Sequence, residues 1–132
     1  MSILDTVVLF ATADNRDRHH ERARKHLAKV RADSVYLGAF ALLEFDAILK
    51  SRGFSFDDRM EKHALLISDY PELDGKVASL GPSTMYLTAR LEAETPMEYF
   101  DAGIAAEALQ LDGKVISTDK IFERVEGLTR IW

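Results

Sequence analysis

A chain of 132 residues fits one domain with a real hydrophobic core. With 47% apolar and 30% charged residues it is not a disordered chain, and apolar runs such as Phe40–Leu43 and Ala64–Ile67 fall far short of the roughly 20 residues a membrane span needs. The net charge of −5 argues against a broadly basic, nucleic-acid-coating surface, although a whole-chain sum does not say where acids and bases cluster.

Ile3-Leu4 ends a short apolar strand, and Val7–Ala13 reads as a brief helix behind it. From Asp17 to Arg31 the pattern is helical, with His20, Ala23, Leu27 and Val30 on one face. The β-branched and aromatic run Val35-Tyr36-Leu37 predicts a strand. Phe40–Lys50 predicts an apolar helix closed by Gly53. Ser55 and Asp58 form a capping box for the next helix, striped by Phe56, Met60, Ala64 and Ile67 and ended by Pro71. Lys76–Leu80 is a further candidate strand, and Gly81-Pro82-Ser83 starts a helix to about Glu94. Thr95-Pro96-Met97-Glu98 combines a threonine cap, proline at the first helical position and glutamate at the third, predicting a helix to about Leu111. After the Asp112-Gly113 turn come a strand over Lys114–Ser117, a helical turn over Lys120–Glu123 and a last strand over Leu128–Ile131. Strands alternating with helices predict a parallel sheet covered on both faces. With no repeat, linker or low-complexity tract, residues 1–132 are expected to form a single compact α/β domain.

The chain contains no cysteine, which removes disulfides, thiolate metal sites and cysteine nucleophiles and fits a reducing cytoplasm. Met1–Asp5 lacks the basic region and apolar run of a secretory signal.

Most of the 22 acidic residues must be solvated surface, and position singles out a few. Asp5 and Asp119 each follow a predicted strand, at the carboxyl ends where parallel α/β sheets bind ligands; the alternative is that each simply caps the helix after it. Glu44 sits in Phe40-Ala41-Leu42-Leu43-Glu44-Phe45, where a buried carboxylate needs a cation, a salt-bridge partner or a proton. Asp46, about 200° further round the helix, is expected to face solvent. Asp101 shares a helix face with the small residues Ala105 and Ala108, or else serves the helix dipole. If four such carboxylates met, each pair at about 4 Å would cost on the order of 4 kcal/mol at an effective dielectric near 20. Only protons or a hard cation would hold the group together, and all-oxygen ligands select Mg²⁺ or Mn²⁺.

The order and context of these acids resemble the PIN-domain family, in particular VapC-type toxin ribonucleases and related stand-alone PIN proteins. The likeness covers essentially the whole chain. It rests on Ile3-Leu4-Asp5-Thr6, on His20 with Ala23 and Leu27, and on Leu42-Leu43-Glu44. It continues through Tyr99-Phe100-Asp101-Ala102-Gly103-Ile104-Ala105-Ala106 and Ser117-Thr118-Asp119-Lys120-Ile121-Phe122, and ends in the valine-glycine-leucine close at Val125 to Leu128. The resemblance implies a three-layer α/β/α sandwich in which Asp5, Glu44, Asp101 and Asp119 meet around Mg²⁺ or Mn²⁺. It further implies cleavage of single-stranded RNA by metal-activated water, leaving 5′-phosphate and 3′-hydroxyl ends. Thr6 and Ser117 stand as supporting hydroxyls, and an antitoxin partner and a homodimer are expected. Val7 and Ile121 depart from the family, whose members often carry polar residues there.

Arg18, Arg22, Lys25 and Lys29 line one face of the predicted second helix and could contact an RNA backbone, or form an ordinary solvated face. His20 is expected to pack rather than act as a base, and Trp132, Phe122 and Phe10 are expected in the core. Met85 and Tyr86 are candidates for a protein-contacting surface. Two other functions fit the same residues: a housekeeping nuclease acting on structured RNA or DNA, and a non-catalytic nucleic-acid-binding module that keeps the fold.

Overall fold

The computed structural model describes residues 1–132. Four short strands, β1 (Ser2–Leu4), β2 (Val35–Leu37), β3 (Lys114–Ile116) and β4 (Thr129–Ile131), form one parallel sheet in the order β2-β1-β3-β4. Each strand is three residues long. In β1 all three residues are buried, Ile3 and Leu4 completely, as expected of a central parallel strand covered on both faces.

Between β1 and β2 run helices α1 (Thr6–Ala13) and α2 (His20–Ala28). Between β2 and β3 run α3 (Ala39–Ser51), α4 (Phe56–Asp69), α5 (Pro82–Glu94) and α6 (Tyr99–Leu109). The two crossovers leave β2 and β1 in opposite directions across the sheet. With the usual right-handed connection they cover opposite faces, which gives the α/β/α sandwich. The register aligns Leu4 with both Leu37 and Ile116, so the chain leaves β1, β2 and β3 at the same edge of the sheet.

Local chemistry explains most element ends. Ser55 caps α4 by accepting from the Asp58 amide at 3.1 Å, and Gly53, with φ +80°, turns the chain after α3. At Gly113, φ is +70° and an added Cβ would lie 2.4 Å from the Gly127 carbonyl oxygen. Only glycine allows the chain to enter β3 there.

Three boundaries differ from the sequence expectation. The helix expected from Asp17 starts at His20, because the Asp17 carboxylate accepts from the His19 amide at 2.7 Å in a competing turn; it ends at Ala28, followed by a 3₁₀ turn over Lys29–Ala32. Thr95 does not cap α6. Its amide and hydroxyl both bond the Leu91 carbonyl, closing α5, and α6 begins at Tyr99 after Glu98. Lys76–Leu80 contributes only one parallel bridge, Val77 to Leu37, before the chain turns off toward α5.

Phe122 is fully buried, whereas Phe10 and Trp132 only pack against the core's margin. His20 ties α2 to α1 through a 2.9 Å contact between Nδ1 and the Ala11 carbonyl. Asp46 is not free in solvent: it binds Arg59 at 2.7 Å and His63 at 3.0 Å, clamping α3 to α4. On α4 no residue is buried, and Phe56, Met60 and Ile67 of its apolar stripe are exposed. Met85 and Tyr86 on α5 are exposed as well. No helix is long and apolar enough to cross a membrane.

Candidate active site

Where the chain leaves β1 and β3, two acids are held by the ends of these strands. Asp5 caps α1: one carboxylate oxygen accepts from the Thr6 amide at 2.7 Å and the other from the Ser117 hydroxyl at 2.6 Å. The same Ser117 oxygen accepts from the Asp119 amide at 2.9 Å, so one hydroxyl joins both strand ends. Asp119 caps the 3₁₀ turn over Lys120–Arg124 through a 2.9 Å bond from the Ile121 amide. Capping and cleft-facing, alternatives on sequence alone, are both true of Asp5 and Asp119.

The other two acids come from helices. Glu44, on α3, accepts from the Thr6 hydroxyl at 2.5 Å. It is half-buried rather than enclosed, because Leu43 beside it is exposed. Asp101 stands in the first turn of α6, a helix buried along nearly its whole length. Gly103 makes its close approach possible: a Cβ there would fall 2.3 Å from the Phe40 ring of α3. Small residues on α6 thus let the helices carrying Glu44 and Asp101 pack against each other.

All four acids line one cleft of about 710 Å³ and sense one another electrostatically. Burial, opposed by its two hydrogen bonds and reinforced by Glu44 and Asp119, pushes the Asp5 carboxyl up to about 6. Burial and then the charges of Asp5, Asp119 and Glu44 push Asp101 up to about 7, and no hydrogen bond offsets this. A partly buried carboxylate facing three others without a donor favours its protonated form unless a cation is brought to it.

The donor set, oxygen only, fits a hard divalent ion. The side chains stand apart, however: no three His, Cys, Asp or Glu groups are drawn together closely enough to hold one as they are.

A profile of the PIN domain matches residues 2–128. The chain belongs to the PIN-domain family. Solved structures share the PIN fold across nearly their full length. VapBC2 from Rickettsia felis, bound to a DNA fragment from its promoter, is 12% identical with a TM-score of 0.73, covering 98% of this chain and 96% of that one. FitAcB from Neisseria gonorrhoeae is 20% identical with a TM-score of 0.75 and the same coverages. At these identities the likeness is one of fold. A comparison with curated proteins finds no match.

The basic face expected to meet RNA lies elsewhere in this PIN domain. Arg18 falls in the turn before α2, and neither it nor Arg22, Lys25 or Lys29 lines the cleft. The cations that do are Arg16, Arg52 and Lys62. Arg52 could have been found as a cation closing the helix that bears Glu44, about two turns beyond it; Lys62 depends on how α4 packs and carries no local signal.

The sequence reading also missed Glu107, a buried acid on α6 whose carboxylate accepts from the amides of Ala39 at 2.6 Å and Phe40 at 3.2 Å. It caps α3 from another helix, taking the place of a local cap that Gly38 cannot supply.

Proposed function

We propose that the chain is a Mg²⁺- or Mn²⁺-dependent endoribonuclease of the VapC type, hydrolysing single-stranded RNA to 5′-phosphate and 3′-hydroxyl ends. One observation carries this reading: Asp5, Glu44, Asp101 and Asp119, from four different elements, line a single cleft. In this reading the four carboxylates are the ligands, and a bound divalent cation supplies charge to stabilise the scissile phosphate and acidify the attacking water. Ser117 fixes Asp5 against the Asp119 amide, and Thr6 fixes Glu44, so two hydroxyls orient two of the four carboxylates and anchor the backbone of a third acid. Asp5 and Asp101 would hold such a cation in their ionised form, so its binding would be favoured at neutral and higher pH.

As a VapC-like protein it would pair with an antitoxin and form a homodimer. The exposed apolar residues Phe56, Met60 and Ile67 on α4 support a protein-contacting face. The test of the catalytic reading is cleavage of end-labelled single-stranded RNA with Mg²⁺, Mn²⁺ or EDTA. Cleavage that requires the metal and falls by about 10²-fold or more in Asp5→Asn, Glu44→Gln and Asp101→Asn supports it. Equal residual activity in wild type and variants would instead favour a non-catalytic binding module, a reading to which apolar Val7 in the cleft wall lends some weight.

A further inference from the structure

We propose that the cleft continues along α3 into a binding arm for the RNA strand flanking the scissile phosphate. In this arm Arg52 and Lys62 take backbone phosphates, Ile48 and Phe54 form the floor for a base and ribose, and Phe10 holds the Arg52 guanidinium. The proposal rests on the nuclease reading above and assigns residues which that reading leaves without a role.

Glu44 and Ile48, four residues apart, share one face of α3, Arg52 caps the C-terminal end of that helix, and all three line the cleft. At 1.5 Å per residue, Arg52 lies about 12 Å along the helix axis from Glu44. The helix therefore presents an acid, an apolar step and, at its end, a cation in sequence. Phe10 of α1 lies beside this track with the Arg52 guanidinium over its ring, 5.1 Å from the centroid, which limits the wandering of a long surface side chain. Phe54, just past α3, and Lys62, on α4, complete the same wall.

The charge pairing separates these cations from the rest of the rim. Arg16 is engaged by Asp14 at 3.3 Å, whereas Arg52 and Lys62 have no ion-pair partner. In a chain of net charge −5, two unpaired cations facing an acid-ended cleft suit a polyanion. A phosphate meets the acids through a divalent ion at one end and meets Arg52 and Lys62 directly at the other. A basic peptide would be attracted only at the acid end and repelled at the arm. Cations joined to exposed aromatic faces are the means by which single strands are held without reading their sequence.

The test is fluorescence anisotropy of a short labelled single-stranded RNA in EDTA, which prevents cleavage, over a series of salt concentrations. Each phosphate contact to a single strand contributes about 0.7 to the slope of log affinity against log salt, which corresponds to roughly fourfold in affinity at 0.15 M salt. Arg52→Ala and Lys62→Ala should each flatten the slope and weaken binding by about those amounts. Arg90→Ala, whose side chain is paired with Glu94 on α5, should change neither. A double variant with the affinity and slope of Arg90→Ala overturns the proposal, as does a wild type that does not bind the RNA. Unchanged RNA binding with tighter capture of a basic peptide also overturns it, assigning the cleft to a protein partner. A wild type that binds through Arg52 and Lys62 yet cleaves nothing with Mg²⁺ or Mn²⁺ leaves the arm in place and removes the nuclease reading.

Discussion

The Glu107 carboxylate on α6 accepts from the Ala39 amide at the start of α3 at 2.6 Å, joining the helix that carries Asp101 to the helix that carries Glu44. Glu107 is buried and also serves the Phe40 amide. Glu107→Ala would leave the buried Phe40 amide and the part-buried Ala39 amide unpaired, at a cost of about 1–3 kcal/mol. Glu107→Gln keeps an acceptor and removes the charge, so it should retain most of that stability. Urea unfolding of the two variants checks this, and an alanine variant as stable as the glutamine variant would contradict it.

Hydroxyls that orient metal-binding carboxylates affect metal affinity more than folding. Thr6→Val and Ser117→Ala remove the donors to Glu44 and Asp5. Each should lower Mn²⁺ affinity by roughly 10–100-fold, measured by calorimetric titration. Wild-type affinity in both variants would mean that the acids orient themselves.

The raised carboxyls make the metal-free protein less stable as pH rises. Asp5 and Asp101 move from 3.8 to about 6 and about 7, and Glu107 from 4.5 to about 7, burial being the main cause for all three. Below about pH 4 folded and unfolded chains both hold these protons. Between about 4 and 7 the unfolded chain has released them while the folded one has not, so stability falls with rising pH and the loss is complete above about pH 7. Asp46, held down to about 2 by Arg59 and His63, acts in the opposite sense but only below about pH 4. The unfolding midpoint without metal should therefore decline from about pH 5 to 8, and a flat profile would count against it. Asp101→Asn should recover on the order of 1 kcal/mol near pH 8, the figure being reduced for partial solvent screening. A divalent cation at a hundred times its dissociation constant should add about 2.7 kcal/mol to the wild type and much less to that variant.

Gly103→Ala tests the close contact of α3 and α6. The new methyl would meet the Phe40 ring at 2.3–2.5 Å and drive the helices apart. A loss of about 1–3 kcal/mol in stability is expected by urea unfolding, together with weaker Mn²⁺ binding as Glu44 and Asp101 separate. Unaltered metal affinity would show that this packing does not set their spacing.

Much of the fold was legible locally because its signals are local. Alternating strands and helices, the Ser55 cap, Gly53 and the Asp112-Gly113 turn act on neighbours in the chain, and the structure keeps them. The ordered motifs around Asp5, Glu44, Asp101 and Asp119 sufficed to name the family. The sequence went astray where two local possibilities compete, as at Thr95, whose hydroxyl serves the helix behind it instead of the one ahead.

What only the tertiary structure decided concerns groups distant in sequence. Asp46 and Glu44 lie two residues apart on one helix, yet one is spent on Arg59 and His63 while the other faces three acids; periodicity puts them on different faces but does not name what each face meets. The basic stripe of the second helix is visible in the sequence, but the cleft takes its cations from Arg16, Arg52 and Lys62. Glu107 shows nothing locally, since its partners are amides on another helix. Local propensity fixes which elements form and where they end. Which charges meet depends on how those elements pack, because desolvation and Coulomb energy follow separation in space rather than along the chain.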